Sequence, residues 1–135
     1  MSIDAIEGGC LCAAIRYRIT GTPVAQSICH CNSCRLASGA PSVAWVVVRY
    51  GDFRIISGHP SNFRSSPQVV RTYCGTCGTT LTYRHDDSLD TIDVTAATLD
   101  RPELFAPTRE IWIEDKVSWV TLNPNLRHYP RGSSE

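Results

Sequence analysis

Apolar and polar residues alternate along much of this chain with a period of two. Residues 14–19 (Ala-Ile-Arg-Tyr-Arg-Ile) interleave apolar and basic side chains, the pattern of a strand with one buried face. Residues 43–48 (Val-Ala-Trp-Val-Val-Val) are almost continuously apolar and rich in β-branched side chains, which predicts a strand covered on both faces. Weaker signals predict strands at 53–56, 68–73, 79–83, 91–95, 110–113 and 117–122, separated by turn residues at 21–23, 51–52, 57–60 and 123–125. A 3.6-residue period is nowhere sustained. Only residues 34–38 invite a helical turn, and Gly39 with Pro41 ends it. The pattern predicts one mainly β domain of antiparallel strands over residues 1–130, with residues 131–135 as a flexible tail.

The length of 135 residues suffices for one such domain with a real core. Thirteen basic and thirteen acidic residues cancel, so no overall field favours nucleic acid or an anionic membrane as partner. Twelve of the thirteen basic residues are arginine, with Lys116 the single lysine. The arginine bias fits either codon bias in a GC-rich genome, with the charges on a solvated face, or bidentate binding of carboxylates. The first seven residues lack the basic and apolar regions of a signal peptide. The longest apolar run has six residues, far short of the ~20 a membrane helix needs. A cytoplasmic location, where thiols stay reduced, is expected.

Cysteine changes the picture most. The seven cysteines fall into three groups: Cys10 and Cys12; Cys29, Cys31 and Cys34; Cys74 and Cys77. An odd number cannot be used up by disulfides, and every cysteine belongs to a pair or triplet able to turn its thiolates toward one metal ion. Cys74-Gly-Thr-Cys77-Gly resembles a zinc knuckle more than a redox motif, because a strand-like segment follows instead of a long helix. Seven thiolates divide naturally as four plus three. Cys10, Cys12, Cys74 and Cys77 would close a structural site, leaving Cys29, Cys31 and Cys34 around a second zinc with one open position. Spacing also permits other groupings, such as Cys31 and Cys34 with Cys74 and Cys77. The fourth position of the triplet could go to water, a substrate or one of His30, His59, His85 and His128. His30, between two ligands, would point away from their metal in extended geometry.

Several blocks recur in order: Gly8-Gly9-Cys10-x-Cys12, Cys29-His30-Cys31-x-x-Cys34-Arg35, Gly39-Ala40-Pro41, Trp45, Cys74-x-x-Cys77-Gly78-Thr79-x-Leu81-x-Tyr83, Ile111-Trp112 and Trp119. Together they resemble the glutathione-dependent formaldehyde-activating enzyme family, which is grouped with the centromere-protein-V domain. The resemblance runs from about Gly8 to Pro130. It implies a zinc-binding β-tent fold with two zinc ions per chain. Cys10, Cys12, Cys74 and Cys77 would hold the structural ion, and Cys29, Cys31 and Cys34 the active one. It also implies formation of S-hydroxymethylglutathione from glutathione and formaldehyde, a carbon–sulfur lyase activity. Ala13 stands where the family usually has glycine after the second cysteine.

The donor set points in a direction of its own. Three thiolates make zinc a weaker Lewis acid and suit it to a fourth soft ligand, a thiol that coordination deprotonates. Such a thiolate beside a small electrophile gains chiefly from proximity and orientation. Arg35, directly after the last ligand, is a candidate for pairing with a glutathione carboxylate or for a structural ion pair. Trp45 is a candidate pocket wall or core residue; Asp93 and Thr95 would face either the site or solvent. The expected function is a zinc-dependent carbon–sulfur lyase acting on a small thiol and an electrophile such as formaldehyde. A non-catalytic zinc scaffold or protein-interaction module is the alternative, and lability of the second zinc separates the two. Chromatin association is a third reading, opposed by the neutral charge and the missing basic tail.

Overall fold

The computed structural model describes residues 5–132. It is mainly β, with eleven strands: β1 (Ile6–Gly9), β2 (Arg16–Ile19), β3 (Ala25–Cys29), β4 (Val43–Arg49), β5 (Phe53–Ser57), β6 (Ser61–Ser66), β7 (Val69–Tyr73), β8 (Thr80–His85), β9 (Thr91–Thr95), β10 (Arg109–Ile111) and β11 (Arg127–His128). Among the described residues a single α-helix, α1 (Asn32–Ser38), follows β3. Among the described residues no helix is long and apolar enough to cross a membrane.

Two sheets form. The small one has the order β1-β2-β5, the large one β11-β10-β3-β4-β9-β8-β7-β6. Pairing is antiparallel as expected, except that β10 runs parallel to both β3 and β11. The main core lies between the sheets, where Ile15, Tyr17 and Ile19 meet Val46, Val48, Leu81, Ile92 and Val94. Tyr17, Val46 and Val94 are fully shielded from water, each burial contributing about 1.5–3 kcal/mol. Gly8 makes the close approach possible: a side chain there would run into the Tyr17 hydroxyl and the Thr98 carbonyl, and that hydroxyl bonds Thr98 Oγ1 at 2.8 Å.

Strand β4 serves two cores, as its composition predicts. Val46 and Val48 face the main core, while Val43 and Trp45 face a second cluster with Cys29 and Cys34. The second cluster lies on the opposite side of the large sheet, and α1 and β10 help to cover it.

Several expectations are corrected. The helix starts at Asn32, two residues before the predicted turn, because Cys31 caps it: its Sγ accepts from Cys34 N at 3.3 Å. Gly39 ends it with φ 71°, the left-handed closure glycine favours. The strand expected at 110–113 stops at Ile111, since Trp112 turns to φ 57°. Residues 117–122 form no strand, although Val-Ser-Trp-Val alternates. Lys116 Nζ donates to the carbonyls of Val117 (3.1 Å) and Val120 (2.7 Å), closing a local loop that leaves Trp119 73% exposed. The short strand β11 takes the sheet edge beside β10 instead. At the chain ends, residues 1–4 and 133–135 lie outside the described residues, including part of the N-terminal stretch and of the tail read from the sequence. Arg131, at the start of that tail, accepts from Trp112 N through its carbonyl (2.9 Å) and reaches Glu114 with its guanidinium (3.1 Å).

Candidate metal centres

The first sulfur cluster joins the two sheets. Cys10 and Cys12 occupy the turn between β1 and β2, and Cys74 and Cys77 the turn between β7 and β8. All four Sγ atoms lie within 4.8 Å of one another. Cys10 and Cys12 are 3.6 Å apart, Cys12 and Cys74 3.7 Å. Zn–S bonds of about 2.3 Å at tetrahedral angles place the sulfurs about 3.8 Å apart, whereas a disulfide requires about 2.05 Å. The donor set and its spacing therefore fit zinc, and all seven cysteines are free thiols.

Both turns are built alike. Ile15 N donates to Cys10 Sγ (3.2 Å) and Cys77 N to Cys74 Sγ (3.4 Å), bonds that stabilise thiolates. Each turn then closes through a left-handed residue, Gly78 at φ 82° in the second and Ala13 at φ 66° in the first. Glycine takes this conformation freely; alanine does so at a cost of about 1–2 kcal/mol. Hydrogen bonding from the Thr79 hydroxyl and then the backbone holds the Cys77 thiol down at about 5.

The second cluster comprises Cys29, Cys31 and Cys34, again with sulfurs within 4.8 Å. Cys29 ends β3, flanked by Val43 of β4 and Ile111 of β10; Cys31 caps α1 and Cys34 lies in its first turn. Hydrogen bonds from Cys29 and Cys34 hold Cys31 down at about 2, and the same bond to Cys31 raises Cys29. Three soft donors at this spacing fit zinc with one tetrahedral position left over. No histidine joins either cluster. His30, 1% exposed, instead meets Glu110 Oε1 at 2.7 Å through Nε2, while Glu110, 3% exposed, accepts from Asn123 N at 2.7 Å through Oε2. His128 lies 3.3 Å from the same carboxylate, on its outer side. His59 is exposed on its turn, and His85 Nδ1 accepts from Asp87 N at 3.0 Å.

Around the triplet stand Trp45, Tyr83, Ile111 and Trp112, with the Trp45 and Tyr83 rings 6.0 Å apart. Sequence reading missed the most telling neighbour, Arg71. The residue is 6% exposed, and its guanidinium sits 4.9 Å from the Tyr83 ring centre and reaches Cys34 Sγ at 4.0 Å through Nη2. Nε donates to Ser65 Oγ at 3.2 Å, and Nη1 is buried with no hydrogen-bond partner. A signal existed: Arg71 holds an inward position in the alternation of β7, between Val69 and Tyr73. Arg35 is half-buried, and its side chain makes no hydrogen bond or ion pair among the described residues. Thr95 is a structural tie, donating to the Thr80 carbonyl at 2.9 Å.

Asp93 belongs to the same row across the large sheet, paired with Tyr83, which pairs with Arg71. Burial pushes its carboxyl up to about 7, against the downward pull of the Arg71 charge. Between pH 4 and 7 the folded chain therefore keeps a proton that the unfolded chain, near 3.8, has released. Stability from this group falls as pH rises through that window. Asp93→Asn should flatten the wild-type decline in denaturation midpoint; parallel profiles for the two proteins would contradict the shift.

The fold and the two sulfur clusters define a class: a small β protein organised around two cysteine-only clusters that could hold metal ions. The chain belongs to the glutathione-dependent formaldehyde-activating enzyme family, whose family model matches residues 5–115. It is similar to an uncharacterized lyase of Schizosaccharomyces pombe, with 26% identity over 110 residues, 82% of this chain and 80% of that protein. A Halomonas elongata protein, named provisionally as a glutathione-dependent formaldehyde-activating enzyme, is 24% identical over 126 residues, 87% of this chain and 80% of its own length. A Rhodobacter sphaeroides protein of known crystal structure shares the fold, with a TM-score of 0.61 at 18% identity, covering 75% of this chain and 96% of that one.

Proposed function

We propose that this protein is a zinc-dependent carbon–sulfur lyase. It would join a small thiol, of which glutathione is the first candidate, to a small electrophile such as formaldehyde, or cleave the adduct. The observation that carries this reading is the second cluster: three sulfur donors with a tetrahedral position to spare, beside a buried arginine that makes no ion pair among the described residues. Zinc held there would supply a soft position at which a thiol gives up its proton. Cys29, Cys31 and Cys34 hold the site, while Cys10, Cys12, Cys74 and Cys77 keep the sheets together. Trp45 and Tyr83 wall the cluster and limit water. Arg71 offsets the negative charge that three or four thiolates accumulate. A reducing, cytoplasmic setting suits seven free thiols.

Glutathione binding tests the reading. Coordination through sulfur should release about one proton and strengthen as pH approaches the free thiol's pKa. S-methylglutathione, which cannot form a thiolate, should bind at least about tenfold more weakly. Calorimetry in buffers of different ionisation enthalpy counts the protons, and cobalt in place of zinc reports a new thiolate through its charge-transfer bands. Equal binding of the two peptides, with a cobalt spectrum indifferent to thiols, would favour a non-catalytic zinc scaffold.

A further inference from the structure

Beside the second cluster, α1 and the β6–β7 edge enclose a groove of about 610 Å³. Its walls are Leu36 and Ala37 from α1, Phe63 and Tyr73 from the strands, with Ser65 and Arg71 among the polar lining. Leu36 is 73% exposed and Phe63 62%, so two large apolar side chains face one space and nothing in the fold covers them. Arg71 connects this groove to the candidate site, since it lines the groove and also reaches Cys34 Sγ. Its Nη1 is a buried cationic donor without an acceptor, an arrangement costly enough to imply a group that completes it. The volume falls within the 300–1,000 Å³ typical of small-molecule sites. Formaldehyde would leave almost all of the groove empty, and the charged ends of glutathione would gain little from Leu36 and Phe63.

We propose that this groove is the subsite for the apolar arm of the electrophile, and that the Arg71 guanidinium donates to the electrophile's carbonyl oxygen. The preferred substrate is then an aldehyde with an aromatic or alkyl arm. The inference rests on the thiol-capture reading of the same site. In the step it serves, a thiolate lone pair forms the C–S bond at the carbonyl carbon. The C=O π pair moves onto oxygen, where Arg71 stabilises the charge. The proton released by the thiol ends on that oxygen, giving a hemithioacetal with no other reactant consumed. The reverse step cleaves the C–S bond and returns thiol and aldehyde.

Phenylacetate is a suitable probe, because it joins an oxyanion to an aromatic arm and does not react. Calorimetry on the zinc-loaded protein should show phenylacetate binding at least about tenfold tighter than acetate, which lacks the arm, or benzyl alcohol, which lacks the charge. Phe63→Ser, at an exposed position, should weaken phenylacetate about fivefold and leave acetate unchanged. Arg71→Gln should abolish the advantage over benzyl alcohol. With thiol present, the enhancement over the uncatalysed addition should be about tenfold larger for phenylacetaldehyde than for formaldehyde, and Phe63→Ser should erase the difference. Phenylacetate binding no tighter than acetate, or unaffected by Phe63→Ser, overturns the subsite. Phe63-dependent binding of phenylacetate without turnover of either aldehyde would uphold the subsite and sink the lyase reading.

Discussion

Cys74→Ser should leave the protein unfolded or aggregated, whereas Cys31→Ser should leave it folded with one metal ion fewer. Cys74 is almost fully buried and packs into the main core alongside Cys10. Its cluster ties the β1–β2 turn of the small sheet to the β7–β8 turn of the large one, so it closes the space the core fills. Structural zinc in comparable cysteine sites contributes about 10–16 kcal/mol to the folded state, as much as the whole stability of about 5–15 kcal/mol usual for a domain. Removing one ligand forfeits much of that. Cys31 is half-buried and lies on the far side of β4; apart from any metal it would hold, it contributes a helix cap, which accounts for about 1 kcal/mol. Elemental analysis and thermal melts by circular dichroism distinguish the two variants, with two zinc ions expected in the parent. The opposite ranking would mean that the roles of the clusters are reversed.

The next largest effect is expected at Glu110, which touches neither cluster. Its carboxylate, itself buried, is the meeting point of His30 and the Asn123 N–H. Glu110→Ala should cost about 3–5 kcal/mol, because it strands the buried His30 and takes the acceptor from the Asn123 N–H. Glu110→Gln keeps an acceptor and should cost only about 1–3 kcal/mol. Since His30 sits between Cys29 and Cys31, losing its anchor also loosens the segment that presents both sulfurs. Zinc affinity at the triplet should fall on the order of tenfold or more, as when outer hydrogen bonds of metal sites are cut. Urea denaturation and chelator competition measure the two effects separately. An alanine variant as stable as the parent would show that the pair carries no net energy.

Much of the fold was legible wherever a strand has one wet face and one dry face. β2, β4, β7, β8 and β9 follow from alternation or from continuous β-branched runs. The strands that escaped did so for local reasons. β1 ends in two glycines needed for close packing, which erase its pattern, and β6 (Ser-Asn-Phe-Arg-Ser-Ser) is an edge strand held by pairing with β7 and by little burial. β3 carries small and polar residues because it lies under the sulfur cluster. The local pairs and the triplet of cysteines could be read from their spacing, since each occupies a single turn, but spacing left open which of them share a site. Arg71 and Glu110 could not be found that way. Each is more than thirty residues from the nearest member of the triplet, and only sheet pairing brings β7 and β10 beside it.

On the ribosome the two clusters would mature at different times. Cys12 and Cys74 are 62 residues apart, so at about 5–20 residues per second the first pair waits roughly 3–12 s for the second. Throughout that interval Cys10 and Cys12 are vicinal thiols on an unfinished chain, open to oxidation or to capture by a stray soft metal ion. The triplet is complete once residue 34 has emerged and needs no distant partner to gather its sulfurs. Oxidant or zinc shortage during synthesis should therefore damage the staple between the sheets first. Chains made under such stress would fail by never closing their main core, even with the triplet intact.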